Sequence, residues 1–336
     1  MKLSTTPSRV VVTGAGGFVG SNLVDALLLR GCDVVGIDSR DLADPIVASN
    51  LGAASSNGRF SWHHRDLLDA GLDAALDSAD IVFHLAAVAG VRDSWGSHRF
   101  SEYVRANILA TQRVIDACEH TGVRRLVVAS SSSVYGETRW ASKESDVLAP
   151  ASPYGVSKLA AEQLCLAHAR RRDTALTVVA LRYFTVFGPR QRAGMGINQA
   201  LLSALSGSTM PLYGDGEQRR EFTFIDDIVT ATIAAAHVDV ESAVVNVGGG
   251  ANPSMREVLN LASSLTGAPV PVSQQAPRAG DVGSTSADLT AARHLLGYRP
   301  TVGLEEGMAR QLAWLTELSP PLRQNLLCHN LTGSNR

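Results

Sequence analysis

The chain has 336 residues, of which 45% are apolar and 18% charged, and its formal net charge is −2. This length and composition suit a large α/β core with a smaller second domain. Dispersed, nearly balanced charge argues against nucleic-acid or membrane-surface partners. The sequence shows no apolar signal core and no membrane-length apolar run, and its four scattered cysteines form no metal-binding pattern. We therefore expect a cytoplasmic, metal-free protein with reduced thiols.

A glycine-rich turn follows the first predicted strand. Residues 10–13 are β-branched, three glycines follow them with the spacing G-x-x-G-x-x-G, and a helical pattern comes next. Such glycines permit a tight turn and let backbone N–H groups approach a pyrophosphate, which then faces the helix N-terminus. The pattern predicts a dinucleotide site, with a plain Gly-rich turn as the alternative. The residues expected to hold the cofactor here are Gly14, Gly17, Phe18, Val19 and Gly20.

An acidic residue ends the second predicted strand. Asp38 closes the apolar run 34–38, about two dozen residues after the first glycine of the turn. A carboxylate at this position accepts hydrogen bonds from the adenosine ribose and repels a 2′-phosphate, so it selects NAD over NADP. Arg40 lies nearby and could soften that selection, and a strand-ending Asp is also a common N-cap. We expect NAD as the cofactor.

Strand-like and helix-like runs alternate through the first half of the chain. The alternation predicts an α/β fold with a doubly wound parallel sheet of the Rossmann type, in which ligands bind beyond the carboxyl ends of the strands. The predicted strands are 34–38, 60–63, 81–85, 125–130 and 176–182, and the predicted helices are 18–30, 101–121 and 153–171.

The composition of the sequence changes near residue 188, after which Gly and Pro become frequent. The change predicts an NAD-binding domain over residues 1–187 and a smaller C-terminal substrate-binding lobe over 188–318, with the chain crossing between them more than once. Residues 319–336 contain a Pro-Pro pair and little apolar pattern, so we expect a loosely attached tail.

Three polar groups form a candidate catalytic set. A serine run follows the strand at 125–130, and Tyr154 and Lys158 are spaced to share one helix face. The Lys158 ammonium and a positive nicotinamide ring should lower the pKa of the phenol, which then takes a proton from a sugar hydroxyl while hydride passes to NAD. Lys158 can also hold the nicotinamide ribose. The Tyr/Lys spacing alone is ordinary on an amphipathic helix.

Ordered motifs recur from about residue 10 to residue 315. Besides the glycine turn they include His84-Leu85-Ala86-Ala87, Val134-Tyr135-Gly136, Leu181-Arg182-Tyr183-Phe184 and Leu296-Gly297-Tyr298-Arg299-Pro300. With these motifs the chain resembles the extended short-chain dehydrogenases/reductases, in the branch of NAD-dependent nucleotide-sugar epimerases and dehydratases.

The resemblance implies roles for further residues. Ser131 is implied as the hydroxyl partner of Tyr154. Arg220 and Arg278 are implied ligands of the nucleotide diphosphate, because guanidinium forks match phosphate geometry. The implied cofactor contacts are Asp66 and Leu67 at the adenine, Ala86 and Ala87 along the cofactor, and Asn107, which could instead brace the cofactor loop.

The segment from residue 181 to 192 most resembles UDP-glucuronate 4-epimerases. Ser133 stands where dehydratases and decarboxylases of the family usually carry an acid, and a serine is a poor acid for a departing hydroxyl. Departures from the epimerase pattern at Ala193 and Gly283 leave the exact sugar open. Candidate ligands for a C6 carboxylate are Ser132, Ser133, Thr185, Arg190 and Arg192.

The resemblance implies C4 epimerisation of a UDP-sugar, most closely UDP-glucuronate to UDP-galacturonate, through a transient 4-keto sugar. Decarboxylation of UDP-glucuronate to a UDP-pentose shares every step up to the ketone and is the main alternative. A dTDP-hexose 4,6-dehydratase and a non-catalytic NAD-sensing protein are further alternatives. The predicted helices 101–121 and 153–171 commonly form a two-fold contact in this family, so we expect a homodimer.

Overall fold

The structure is a computed structural model that describes residues 9–277 and 280–331, with side chains described as far as residue 327. Its strands are β1 (Arg9–Thr13), β2 (Asp33–Asp38), β3 (Phe60–His64), β4 (Ile81–His84), β5 (Arg125–Ser131), β6 (Thr177–Tyr183), β7 (Thr185–Phe187), β8 (Met210–Tyr213), β9 (Phe222–Phe224), β10 (Ser242–Val247) and β11 (Val272–Gln275).

A seven-stranded sheet has the order β10-β6-β5-β4-β1-β2-β3, and each of its neighbouring pairs is parallel. The strand order reverses beside β1, which creates the crevice where such sheets bind nucleotides. The prediction of an α/β, doubly wound parallel sheet is confirmed.

Helices cover both faces of this sheet and the second lobe. They are α1 (Phe18–Leu29), α2 (Pro45–Ser55), α3 (Leu72–Leu76), α4 (Ser97–Tyr103), α5 (Ala110–Thr121), α6 (Pro153–Ala169), α7 (Gly196–Ser206), α8 (Ile225–Ala235), α9 (Met255–Thr266), α10 (Thr290–Leu296), α11 (Leu304–Glu317) and α12 (Pro320–Leu331).

Alternate residues of the strands enter two separate cores. Val10 and Val12 of β1 pack with α1 and α2 on one face, whereas Val11 packs with α3 and α5 on the other. Successive side chains of a strand point to opposite faces, so a sheet covered on both sides needs an unbroken apolar run. This explains why the first strand reads as a continuous β-branched stretch rather than an alternating one.

The second lobe is built from short elements that follow β6. The strand β7 pairs with β9, and β8 pairs with β11, while α7 packs against α9 and α11. Within the same stretch of chain, β10 returns to the main sheet beside β6 and α8 packs against α1. The lobe therefore shares its core with the first domain.

The described part of the segment 319–336 differs from the loosely attached tail that the sequence predicts. Residues 320–331 form α12, and Leu326 is buried in the core shared by the two lobes. The Pro-Pro pair does not prevent a helix, because the first turn needs no intrahelical N–H donors. Among the described residues, we find no helix whose length and apolar character would allow it to cross a bilayer.

Candidate active site

A cavity of about 1300 Å³ lies between the carboxyl ends of the central strands and the second lobe. Nearly all of the site residues that the sequence predicts line this cavity. Those lining it are Gly14, Gly17, Phe18, Val19, Gly20, Asp38, Asp66, Leu67, Ala86, Ala87, Ser131, Ser132, Ser133, Tyr154, Lys158, Thr185, Arg190, Arg192 and Arg220. Asn107 does not line it, and Arg278 lies outside the described residues.

The glycine turn fits a bound pyrophosphate. Gly14 has a φ of +71°, and a Cβ there would approach the Ala86 backbone to 2.8 Å. A Cβ on Gly20 would collide with the Gly14 carbonyl oxygen, so the turn requires both glycines. At Gly17, which precedes α1, no described side chain caps the helix, and no acid lies in its first turn. The first N–H groups of α1 thus suit an anion.

Asp38 braces this turn from the end of β2. Its Oδ2 accepts a hydrogen bond from the Gly16 N–H at 3.0 Å, and its Oδ1 accepts one from the Arg40 N–H at 3.0 Å. The Arg40 guanidinium is 3.6 Å from the same carboxylate. The carboxylate therefore braces the turn and also lines the cavity.

Asp66 follows β3 at the other end of the cavity. The Leu68 N–H donates to Asp66 Oδ1 at 3.0 Å, and Arg105 Nη2 donates to Oδ2 at 3.0 Å. The Leu68 N–H first, and then Arg105, lower the pKa of the Asp66 carboxyl. Asp66 therefore carries a negative charge at neutral pH, with Leu67 beside it as a largely buried apolar contact.

Asn107 acts behind the cavity rather than in its wall. It lies in a π-helical segment, Val104–Leu109, that joins α4 to α5. Its Oδ1 accepts from the Val88 N–H at 2.8 Å, and its Nδ2 donates to the Val88 carbonyl at 2.9 Å and to Ser157 Oγ at 2.9 Å. Asn107 thus holds the loop after Ala87 against α6, which is the bracing alternative considered from the sequence.

Tyr154 lies in the first turn of α6, and local chemistry fixes where that turn begins. Ser152 Oγ accepts from the Gly155 N–H at 3.1 Å as the N-cap, and Pro153 follows at the first helical position. A Cβ on Gly155 would come within 2.6 Å of the Ser133 carbonyl oxygen. The glycine therefore allows the start of α6 to approach the serine turn closely.

The serine turn and the phenol meet at the carboxyl end of β5. Ser131 and Tyr154 line the same cavity, the Ser131 hydroxyl favours the phenolate and so opposes the rise in the pKa of Tyr154, and Ser131 Oγ accepts from the Ser133 N–H at 3.1 Å. Tyr103 contacts the Tyr154 ring edge-on at 6.1 Å and donates to the Gly90 carbonyl at 2.9 Å. These contacts hold the phenol at the floor of the cavity.

The protein alone raises the pKa of Tyr154 rather than lowering it. Burial is the largest cause, and it outweighs the opposing effects of the Ser131 hydrogen bond and the Arg192 charge. Burial likewise lowers the pKa of Lys158 to about 8, against opposing effects of Cys165 and Glu162. The lower pKa expected from the sequence takes only neighbouring charges into account. Burial removes water from both side chains at the floor of the cavity, and this desolvation disfavours the charged forms of Tyr154 and Lys158.

The two arginines proposed for a sugar carboxylate face different partners. Arg190 adopts a φ of +71°, and its Nη2 donates to Asp25 Oδ2 at 2.6 Å, so it binds to α1. Arg192 is exposed, its Nη2 donates to the Ala89 carbonyl at 3.4 Å, and its charge opposes the rise in the pKa of Tyr154. Of the two arginines, Arg192 is therefore the one whose charge acts on Tyr154.

Arg220 belongs to an ionic cluster that the sequence only partly predicted. Its Nη2 lies 4.0 Å from Asp281 Oδ1, while Arg92 Nη2 donates to Asp281 Oδ2 at 3.1 Å. The Arg92 guanidinium also stacks over the Tyr213 ring at 4.4 Å. Arg92 begins a 3-10 helix of only three residues, Arg92–Ser94, which is too short to produce a recognisable sequence pattern.

Comparisons with known proteins agree with this site. Residues 10–248 match the family described as the NAD dependent epimerase/dehydratase family. The chain is 38% identical over 318 residues to the uncharacterized UDP-glucose epimerase YtcB of Bacillus subtilis (strain 168), a match that covers 92% of this chain and 98% of that protein.

Two solved proteins share the fold over nearly their whole length. MoeE5, solved with UDP-glucuronic acid and NAD and also with UDP-glucose and NAD, is 45% identical, with a TM-score of 0.86, over 92% of this chain and at least 98% of its own. UDP-glucuronic acid 4-epimerase from Bacillus cereus, solved with UDP-glucuronic acid and NAD, is 36% identical, with a TM-score of 0.87, over 93% of this chain and 100% of its own.

Proposed function

The chain belongs to the NAD-dependent epimerase/dehydratase family, and we propose that it converts UDP-glucuronate to UDP-galacturonate. It is an NAD-dependent enzyme of UDP-sugar 4-epimerisation. Arg192 carries the proposal, because its exposed side chain lines the same cavity as Tyr154 and the serine run 131–133.

Hydroxyl groups in the wall of the cavity that Arg192 lines suit a carboxylate at C6 of the sugar. Ser132, Ser133 and Thr185 line both the main cavity and an adjoining one of about 130 Å³. Hydrogen bonds between a guanidinium and a carboxylate are roughly twice as strong as neutral ones. A hydroxymethyl group, as in UDP-glucose, would gain little from the cation. MoeE5 was solved with either sugar, and in this chain the charge of Arg192 would favour the acid.

Tyr154 is the proposed base for the sugar O4 proton. The Ser131 hydroxyl, which lines the same cavity, would hydrogen-bond to the reacting oxygen. Lys158, buried one turn further along α6, would stabilise the phenolate and hold the nicotinamide ribose. NAD, when bound by the glycine turn and Asp38, supplies the reversible oxidation at C4. Rotation of the ketone in the wide cavity would then allow reduction on the other face.

Decarboxylation competes with epimerisation at the ketone. A 4-keto uronic acid is a β-keto acid, which loses carbon dioxide when its carboxylate stands perpendicular to the carbonyl. We propose that Arg192 and the serine hydroxyls hold the carboxylate away from that orientation. The side chain of Ser133, where decarboxylases of the family usually carry an acid, is consistent with this role.

The test is incubation with UDP-glucuronate and, separately, UDP-glucose, followed by chromatography of the sugar nucleotides. We expect UDP-galacturonate without carbon dioxide, and a higher kcat/KM for UDP-glucuronate than for UDP-glucose. Release of carbon dioxide without UDP-galacturonate, or a preference for UDP-glucose, would overturn the proposal.

A substitution tests the role of Arg192. In the variant Arg192→Gln, we expect KM for UDP-glucuronate to rise by roughly 10- to 100-fold, as for a lost charged hydrogen bond. Arg190→Gln is the matched control, and it should leave the ratio between the two substrates unchanged.

A further inference from the structure

Glu162 is a fully buried carboxylate that the proposed reaction does not use. Its side chain has 0% exposure, and Arg182 Nη2 donates to its Oε1 at 2.6 Å. Its other oxygen, Oε2, accepts from Arg182 Nε at 3.0 Å and from Ser130 Oγ at 2.6 Å. One side chain of α6 is therefore bonded to the ends of both β5 and β6.

Arg182 continues this network to the far side of the serine turn. Its Nη1 donates to the Tyr135 hydroxyl at 2.8 Å, and its guanidinium lies 4.9 Å from the centre of the Tyr135 ring. The Tyr135 hydroxyl in turn donates to Asn246 Oδ1 at 2.7 Å. The serine turn, residues 131–134, is thus held at Ser130 before it and at Tyr135 after it by the Glu162–Arg182 pair.

The same carboxylate lies one helical turn after Lys158. Residues four apart on a helix are neighbours on its surface, and Glu162 opposes the burial that lowers the pKa of Lys158. The other groups near the ammonium are Cys165 on α6, whose thiol pKa burial raises to about 12, and His84 on β4, whose pKa burial lowers to about 3. Both are neutral near pH 7, so Glu162 is the anion that supports the ammonium form.

A buried ion pair is weak evidence for stability, because apolar residues of similar volume often serve the fold as well. Here the pair joins the strand that carries Ser131, the helix that carries Tyr154 and Lys158, and the neighbouring strand β6. We propose that Glu162 is a positioning residue for epimerisation, which sets the serine turn against α6 through Arg182 and keeps Lys158 protonated. This inference rests on the roles proposed above for Ser131, Tyr154 and Lys158.

Two substitutions of Glu162 distinguish the effect of its charge on Lys158 from its effect on the position of the serine turn. Glu162→Gln removes the charge and retains the length, so the alkaline limb of kcat/KM should move down by about one pH unit, the shift expected from losing an opposite charge. Glu162→Asp keeps the charge and shortens the reach to Ser130 and Arg182. In that variant the limb should stay in place while kcat falls by roughly 10-fold or more and KM changes little.

The matched control is Glu119→Gln, which removes a carboxylate that pairs with His168 and Arg171 near the far end of α6. His168 is about 15 Å along the helix from Lys158, so the limb should not move. A Glu162→Gln variant that lowers the melting temperature without moving the limb would overturn the inference. If that variant does not fold, an unchanged kcat in Glu162→Asp would overturn it.

A second measurement separates this inference from the proposed function. NMR titration of the Lys158 side chain in the NAD-bound protein, assigned by its loss in Lys158→Met, reports its pKa without turnover. Its pKa should be lower in Glu162→Gln than in the parent, even if UDP-glucuronate proves not to be the substrate. An equal pKa in both proteins would remove Glu162 from its role at Lys158, whatever sugar is turned over.

Discussion

Arg92 of the first lobe and Asp281 of the second form an ion pair across the cavity, with Arg92 Nε and Nη2 at 3.2 Å and 3.1 Å from Asp281 Oδ2. Both side chains are only partly exposed. Because Arg92 also stacks on Tyr213, one guanidinium joins the β4 side of the cavity to two segments of the second lobe. The pair is therefore a direct contact between the two lobes at the wall of the cavity.

We expect Arg92→Leu to raise KM for the UDP-sugar by roughly 10-fold, equivalent to about 1.4 kcal/mol, and to lower kcat less. The substitution removes a cation from the cavity wall and breaks the contacts of Arg92 with Asp281 and Tyr213 in the second lobe. It leaves the glycine turn unchanged. Steady-state kinetics with purified protein measures both constants. Arg59→Leu is the control, since it breaks an exposed pair with Asp33 at the opposite end of the sheet. Equal KM values for Arg92→Leu and the parent would contradict this.

Tyr154→Phe should lower kcat by about 10²- to 10⁴-fold, the usual contribution of a positioned acid or base. The ring contact with Tyr103 does not need the hydroxyl, so the fold and the affinity for NAD should be retained. Turnover and NAD content, the latter from absorbance after release, measure the two effects. Near-parental turnover would exclude the phenol as the base.

Asp38→Ala should weaken NAD binding and lower the melting temperature together. The substitution leaves the N–H groups of Gly16 and Arg40 without their acceptors, at a cost of about 1–3 kcal/mol for each one that stays buried. Isothermal titration with NAD and thermal unfolding check the two parts. Asp33→Ala, at the exposed start of the same strand, should change neither. Unaltered NAD affinity in Asp38→Ala would exclude the ribose contact.

Much of the fold and of the site could be predicted because both depend on local patterns. A β-branched run, three spaced glycines and an acid two dozen residues later identify β1, α1 and the end of β2, and parallel strands necessarily bring their carboxyl ends together. The Tyr154–Lys158 spacing on α6 has the same local character. These features can be predicted without knowing which residues, distant in sequence, lie beside them in the fold.

The features that could not be predicted depend on contacts distant in sequence. Proximity in the chain suggests the same role for Arg190 and Arg192, yet the partner of Arg190 is Asp25, 165 residues away. The opposite effects of burial and of charge on Tyr154 depend on how deeply the floor of the cavity is enclosed, which no motif encodes. Likewise Leu326 of α12 packs into a core built by residues from both lobes, which are distant from it in sequence.

Lys158→Met should abolish turnover and yet stabilise the NAD-free protein. Burial lowers the pKa of Lys158 from 10.5 to about 8, so the folded state binds fewer protons than the unfolded state between these values, and parental stability rises with pH there. The gain from Met is therefore greatest below pH 8 and shrinks towards pH 10.5. Urea unfolding at pH 7 and pH 10 measures it, with the exposed Lys143→Met as control. A gain that grows with pH would contradict the assignment.

Two exposed apolar side chains point to the expected homodimer. Leu109 is 51% exposed on the π-helical segment, and Val156 is 45% exposed on α6, which packs against that segment. If a dimer interface buries Leu109 and Val156, a charged side chain at either position should prevent the dimer from forming, because burying an unpaired charge is strongly unfavourable. We expect light scattering to give twice the chain mass of 35.5 kDa for the parent and the single mass for Leu109→Glu with Val156→Glu. Leu29→Glu, at an exposed leucine of α1, should remain a dimer, and a monomeric parent would refute the interface.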